Sequence, residues 1–484
     1  MDNEVQRPIY PEDLVHLSDD DISIALQHYL EAEILRRNMR DPVKPSDLLR
    51  ILLSSKELSL AGSKIPLLRD YLNRIARVAF ERHIAQRADH DVPTMTIVAA
   101  PLTKDQIYGL LGDRLNYVLI FGAESIYFQD TVHALATDSR RYGGVNVLGV
   151  HPDWLSSDSV RTKRAILVDE AGLIKEVSFE EAVPVHVVHI LHLPLRHEQQ
   201  LHRELSAHFR EKGVPQINPY ENSSERADDK SWTHRLWDQY GREIMSPKHT
   251  LIARHSSAEE ISQHLRSFLK VMQKPDLVVQ PNRGTEGYKV EKFSVCSLSP
   301  VVECIKNHVL AEDDAIVREE RGNARYREKG LFLNVTFRIN VSWNGTDFTA
   351  ESGYAQVAKD PDTFPASRGR GGRIVDINEA IANLYYFRDG RWIRFIPADE
   401  DITAMKNAAV IAACALNMGL DVENYLKFMG TDILLEVNEH KANPIVLETN
   451  PRPAGLAHSS EIIGISGKKP ELRVGTGIFR FCCQ

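Results

Sequence analysis

The segment from Gly430 to Gly455, GTDILLEVNEHKANPIVLETNPRPAG, limits what this chain can be more than any other stretch. It reads as two apolar strands, Ile433 to Val437 and Ile445 to Leu447, joined by a polar turn around Glu439 to Asn443. Asp432 stands just before the first strand, and Glu448 and Asn450 follow the second. Residues i and i+2 of an extended segment share a face, so Glu448 and Asn450 can reach the same ion. Their oxygens suit Mg2+, which binds through few carboxylates and completes its shell with phosphate oxygens and water. Arg452 then offers a fork-shaped donor to a phosphate beside that metal. A plain charged hairpin closing on an Asn-Pro turn accounts for Asn450 and Pro451, but less well for the acidic pair.

The rest of the chain sets the frame for this cluster. Its 484 residues are 43% apolar, enough for two to four domains at about one per 150 residues. Against 67 Asp and Glu there are 59 Lys and Arg, a formal charge of -8. That balance disfavours a broad surface for nucleic acid or anionic lipid and leaves room for local anion sites. The N-terminus has no basic region followed by an apolar core, and no apolar run approaches the roughly 18 residues that span a bilayer. A cytoplasmic chain without membrane or nucleic-acid partners is expected. Five cysteines, scattered, form no disulfide framework and are expected to be reduced.

Residues 1–92 read as helices: Ser18 with Asp21 makes a capping box, and Ile22, Leu26, Tyr29, Leu30 and Ile34 recur at helical spacing. From about Thr94 short apolar runs alternate with helical patterns, at Ile97 to Ala100, Tyr117 to Phe121, Val145 to Val150, Ala165 to Val168 and Val185 to Leu193. This predicts a parallel α/β layer. His186, His189 and His192 fall on alternate faces of the last strand, which argues against a metal site there. Beyond Pro247, strands are expected at Leu277 to Val279, Ala315 to Val317 and Leu331 to Val341, and a helix at Ala404 to Leu420. Ser367 to Arg373 is a glycine and arginine loop.

The run Glu448-Thr449-Asn450-Pro451-Arg452-Pro453 after Asp432 resembles the metal-binding end of the ATP-grasp superfamily, in its glutathione-synthetase-like, carboxylate–amine ligase-like branch. There an acidic residue, then a Glu and an Asn two apart, hold the magnesium ions on ATP. Upstream matches follow in the family's order. Asn218-Pro219, Asp228-Asp229-Lys230 and Ser246 to Thr250 resemble the run that closes the first α/β domain and opens the central one. The resemblance gives Lys230 a contact to ATP phosphate, with Lys248 the weaker alternative. Leu277 to Val290 resembles the loop that closes over the triphosphate, with Gly284 and Gly287 freeing backbone N–H groups for phosphate. Gln280 occupies the position of that loop's phosphate-binding lysine. Either Arg283 or Lys289 supplies the missing charge, or ATP binds differently, or activity is reduced.

Ala315 to Asn323 resembles the interdomain hinge, whose backbone meets the adenine edge and whose acid meets the ribose. Val317, Glu319 and Glu320 are its candidate nucleotide-binding residues, the two acids unseparated. Leu331 to Val341 carries Arg338, and Gly371-Gly372-Arg373 resembles a mobile loop that shields a reactive intermediate. Arg338 or Arg373 would stabilise an acyl phosphate. The histidine and aromatic group His151, Asp153 and Trp154 follows a strand end, whereas Trp232, Trp237 and Trp343 read as packing.

The fold class implied is α/β and α+β: an ATP-grasp fold preceded by a Rossmann-like α/β domain and an N-terminal helical extension. The divisions are 1–92 (extension), 93–228 (α/β domain), 229–315 (central subdomain with the glycine loop) and 316–484 (C-terminal subdomain with the metal site). The resemblance implies an ATP-dependent ligase that activates a small-molecule carboxylate as an acyl phosphate and joins it to an amine, releasing ADP and phosphate. ATP with Mg2+, or Mn2+ in its place, is the implied cofactor set. A kinase of the same fold and a non-catalytic nucleotide-binding regulatory protein are the alternatives. The N-terminal helices are open to use as a homodimer surface or a lid.

Overall fold

The computed structural model describes residues 95–482 apart from 122–124, 142–143, 157–159, 192–198, 221, 284–288, 312, 368–369, 454, 465–473 and 475. The expected helices of residues 1–92, and with them Gly284, Gly287, His192 and His197, lie outside the described residues. Residues 1–94 with 123–128 form a separate unit, and everything below concerns the other.

The first sheet has six strands in the order β1-β5-β4-β3-β2-β6. They are β1 (Thr96–Ile97), β2 (Leu115–Ile120), β3 (Val145–Val150), β4 (Arg161–Val168), β5 (Ile174–Pro184) and β6 (Val187–Ile190). The apolar runs of β2, β3 and β6 pair in parallel and are buried on both faces, as continuous hydrophobic strands must be. The sheet is nonetheless mixed, not the parallel layer that the spacing predicts. β4 and β5 form an antiparallel hairpin, because the turn Asp169 to Gly172 is far too short for a crossover helix and Gly172 takes the left-handed φ of +84° that closes it. His189 is buried in this sheet and its Nδ1 meets the Tyr117 hydroxyl at 2.5 Å. Among the described residues no group of three or more His, Cys, Asp or Glu gathers as a metal site.

The second sheet is antiparallel: β7 (His249–Ile252), β8 (Asp276–Pro281), β9 (Glu291–Ser294) and β10 (Ala315–Glu319), in the order β7-β10-β8-β9. Alternation divides its faces. Ile252, Leu277, Val279, Ala315 and Val317 make one core with Ile261 and Leu265 of the helix Ala258–Leu269, which a Ser257–Glu260 capping box starts. The opposite face carries His249, Val278, Gln280 and Arg318. This sheet therefore runs past residue 315, to Glu319.

Nine strands form the third sheet: β11 (Arg325–Glu328), β12 (Leu331–Trp343), β13 (Phe348–Val357), β14 (Arg373–Asp376), β15 (Leu384–Arg388), β16 (Arg391–Phe395), β17 (Phe428–Val437), β18 (Ala442–Asn450) and β19 (Ser460–Glu461). Phe337, Ile339, Ile433 and Leu435 line the face packed on the alanine-rich helix Asp399–Asn417. The helix Lys230–Tyr240 joins that same core, where Trp237 is buried and its indole N–H donates to the Ala412 carbonyl at 3.2 Å. Removing a buried Trp side chain costs about 3–5 kcal/mol, so this helix belongs with the nine-stranded sheet. Trp343 packs among Phe348 and Tyr425, as expected of a core residue. No helix among the described residues is long and apolar enough to cross a membrane.

Candidate active site

Residues directly opposite in an antiparallel pair project from the same face. Across β13, β12, β17 and β18, Tyr354 stands opposite Arg338, Arg338 opposite Asp432, and Asp432 opposite Glu448. The four form a line on the face turned away from the helix Asp399–Asn417. Arg338 grips Asp432 with two parallel bonds, Nε to Oδ1 at 2.6 Å and Nη2 to Oδ2 at 2.7 Å, and its Nη1 donates to the Tyr354 hydroxyl at 3.2 Å. Asn450, two residues along from Glu448, brings its amide nitrogen to 3.4 Å from both Asp432 Oδ2 and Glu448 Oε1. Lys230 Nζ, from the start of its helix, lies 3.9 Å from Glu448 Oε2.

Two backbone features allow this. The β17–β18 register shifts between Asp432 and Ile433, so Glu448 faces Asp432 while Val446 pairs with Ile433, leaving Leu447 as the bulged residue. The bulge lets Leu447 and Glu448 both serve the open face, while Val446 enters the core. Gly430 is the second: a Cβ there would stand 2.8 Å from Pro453 Cβ and 3.0 Å from Arg338 Cδ. Only glycine lets the arginine stem lie across β17.

The two carboxylates have been driven apart in acidity. Burial, above all, raises the Asp432 carboxyl to about 6, against the pull of Arg338. Burial also works to raise Glu448, but Lys230, Arg338 and Arg318 outweigh it and hold Glu448 below its usual range. Two carboxylates and one amide, converging on a face, are the hard oxygen donors that Mg2+ takes in small number. A half-turn of the Asn450 amide exchanges its nitrogen for its oxygen, after which all three residues offer oxygen. The donor set fits the ion.

The four-stranded sheet faces this line across a cleft. Val278, Arg318 and Glu320 line it on one side, Thr336, Leu434 and Leu447 on the other. The connection between the sheets separates the two hinge acids. Glu319 is an internal brace: its carboxylate accepts from the backbone N–H of Lys248 at 3.1 Å and of Gln273 at 2.6 Å, and pairs with Arg321 Nη1 at 2.9 Å. Glu320, which lines the pocket as Glu319 does, is free of those backbone bonds and meets Lys292 Nζ at 2.7 Å. Arg321 in turn holds Glu436 through two bonds, at 2.6 and 2.8 Å. The Val317 side chain points away from the cleft, into the core of its own sheet.

Of the residues singled out in the sequence, Asp432, Glu448, Asn450, Arg338 and Lys230 come together. Others do not. Arg283 is exposed and pairs with Asp229 at 3.3 Å, and Lys289 Nζ donates to the His308 carbonyl at 2.6 Å. Lys248 is exposed. Arg373 pairs with Glu328 at 2.6 Å, in register with Val357, and so projects from the face opposite to Arg338. Arg452 is buried beside the site but is held by Asp228, Nη2 to Oδ1 at 2.6 Å, over the Tyr220 ring. Sequence reading passed over Arg318 and Tyr354; a charged residue alternating with buried apolar ones in Ala315 to Glu319 was the signal for the first.

Asn218 has a structural task at the same place. Its Oδ1 accepts from the backbone N–H of Lys427 at 2.9 Å and Phe428 at 3.1 Å, and its Nδ2 donates to the carbonyls of Phe428 and Pro451. The preceding residues are bonded to β6, Ile217 N–H to the Val188 carbonyl at 2.9 Å. One asparagine thus ties the six-stranded sheet to the start of β17 and the end of β18.

No family model and no curated protein matches the sequence. Among solved structures, the chain is similar to a D-Ala:D-Ser ligase from Enterococcus faecalis, at 14% identity, TM-score 0.43, and 76% coverage of this chain and 97% of that one. It is similar to a D-alanyl-alanine synthetase A from Vibrio cholerae at 10% identity and TM-score 0.42, covering 70% and 89%. A D-cycloserine synthetase follows at 15% identity and TM-score 0.41, covering 70% and 92%.

Proposed function

We propose that this chain is an ATP-dependent, ADP-forming ligase of the ATP-grasp type, with ATP seated between the four-stranded and nine-stranded sheets. The observation that carries this reading is the cross-strand line Arg338, Asp432 and Glu448, completed by Asn450 and Lys230 and facing a cleft with apolar walls. Asp432, Glu448 and Asn450 would hold Mg2+, which when bound neutralises charge on phosphate oxygens. Arg338 fixes the Asp432 carboxylate in one orientation, and Tyr354 fixes Arg338. Lys230, nearly buried, offsets charge on the transferring phosphoryl group. Glu320, at the pocket, takes the ribose hydroxyls. Leu434, Leu447 and Val278 offer the apolar walls an adenine ring needs.

In this reading a substrate carboxylate oxygen attacks the γ-phosphorus, the bond to the bridging oxygen breaks, and ADP leaves. An amine nitrogen then attacks the acyl carbon of the acyl phosphate, the bond to the phosphate oxygen breaks, and the nitrogen gives up a proton. No side-chain nucleophile is needed. The test is an ADP-release screen over carboxylic acids with and without amines. The ligase reading expects ADP only where a carboxylic acid is present, with an amide product when an amine is added. A stable phosphorylated hydroxyl product without amine would instead make the chain a kinase, and absence of ADP from every mixture would favour a regulatory binder.

A further inference from the structure

Gln280 leaves the cleft without the phosphate-binding lysine that its position resembles, and neither neighbour offered by the sequence replaces it. Arg283 is committed to Asp229 and Lys289 to the His308 carbonyl. The replacement lies one strand over. Gln280 on β8 stands opposite Ile316 on β10, and Arg318 is the next residue of β10 on the same face, so the two side chains are diagonal neighbours.

Arg318 is deeply buried, and its Nη1 has no hydrogen-bond partner. Burial, above all, lowers its pKa, and the charges of Glu448 and then Asp432, across the cleft, pull the other way. It is not the only unsatisfied group there. Gln280 Nε2 is buried without a partner, and so are both ring nitrogens of His234. His234 stacks on His249 with centroids 4.4 Å apart, and His249 stands opposite Arg318 across β7 and β10. Burial and then the neighbouring His249, Arg318 and Lys230 hold the His234 imidazole neutral. Buried donors are almost always paired, and here an amide and a guanidinium on one face of the four-stranded sheet, with one N–H of the neutral imidazole beside them, have no acceptor. Anionic oxygens between this face and the Asp432–Glu448 line would satisfy them together.

We propose that Arg318 supplies the triphosphate-binding charge that Gln280 lacks, gripping phosphate from β10 with the Gln280 amide as a second donor. The fork of a guanidinium suits phosphate better than a point charge, and the shift from β8 to β10 places it against the carboxylates instead of at the glycine turn. The inference rests on ATP being the ligand of the cleft.

The test is titration calorimetry with ATP, ADP and adenosine in the presence of Mg2+, on the intact chain and on Arg318→Met, Arg318→Lys and the double variant Arg318→Met with Gln280→Lys. Arg318→Met is expected to weaken ATP about ten- to hundredfold, the size of a lost charge-assisted bond, and to leave adenosine unchanged. The double variant is expected to regain most of that loss, since it returns the cation to β8. ATP affinity unchanged in Arg318→Met, with the intact chain binding ATP, would overturn the inference alone. If Arg318→Met fails to fold, Arg318→Lys decides: a severalfold weaker ATP with unchanged adenosine supports the role, and equal loss of both ligands opposes it. An intact chain that binds none of the three overturns the nucleotide reading itself and this inference with it.

Discussion

Arg338 and Asp432 stand opposite each other on β12 and β17 and close two parallel hydrogen bonds, at 2.6 and 2.7 Å, in a place almost without water access. Breaking one side of such a pair leaves an uncompensated buried charge. Arg338→Met is therefore expected to lose about 3 kcal/mol or more of stability. Adding Asp432→Asn should return part of it. Denaturant unfolding of the two variants checks this, and a single variant as stable as the intact chain would contradict it.

Gly430→Ala is expected to spare the fold and harm the chemistry. Its Cβ would crowd Pro453 and the Arg338 stem, and Arg338 must shift to admit it, taking Asp432 along. A displacement near 1 Å at a site of this kind costs about a hundredfold in rate. ADP formation measured beside the melting temperature separates the two effects; rate and stability falling together in proportion would count against this account.

Lys427 gives the fold a pH signature. It is buried, its Nζ donates to the Gln216 carbonyl at 3.0 Å and to the Glu423 carbonyl at 3.1 Å, and burial pushes its pKa down to about 8. The unfolded chain holds that proton up to the ordinary lysine range, near 10.5. Below about 8 both states are protonated and the cost of burying the charge is constant. Between about 8 and 10.5 the unfolded state binds more protons, so stability from this group rises with pH, by up to about 1 kcal/mol per pH unit. Lys427→Met should flatten that rise in unfolding experiments at pH 7.5, 9 and 10.

Asn218→Ala removes the partner of two N–H groups and two carbonyls in one step. The expected loss is about 2–3 kcal/mol, together with weaker Mg2+ binding, because Pro451 adjoins Asn450. Calorimetric titration of Mg2+ with nucleotide present is the check; unchanged metal affinity would confine Asn218 to stability.

Arg373→Ala is expected to leave nucleotide affinity and ADP formation within about twofold of the intact chain. Its ion pair with Glu328 lies at a sheet edge, both side chains partly exposed, where such pairs contribute roughly 0–1 kcal/mol. A hundredfold loss of activity would return Arg373 to the site.

The hairpin carrying Asp432, Glu448 and Asn450 was legible because a two-residue period fixes which side chains share a face. What no periodicity carries is register between distant strands. Nothing in residues 331–341 and 428–437 says that Arg338 lies opposite Asp432, so Arg338 and Arg373 stood as equal candidates until pairing placed them on opposite faces. The two hinge acids were inseparable for a similar reason, since the contacts that occupy Glu319 come from Lys248 and Gln273, 71 and 46 residues away. The spacing predicts a parallel first sheet because β5 reads KEVSFEEAV, too polar to stand out beside Val145 to Val150.

The Asn218 clamp fixes the six-stranded sheet to the strands that carry the acidic cluster. The six-stranded sheet is moored to the start of β17 and the end of β18, the strands that carry Asp432 and Asn450, so a molecule resting against it keeps one fixed distance from the acidic cluster. The four-stranded sheet is joined through residues 241–248, where the Val446 N–H of β18 donates to the Met245 carbonyl at 2.8 Å, and through residues 320–323, where Gly322, at φ +87° and with no room for a Cβ beside Leu434, makes the turn. Both smaller sheets are thus referred to the same two strands, β17 and β18, and the acidic cluster is the common origin from which each is measured.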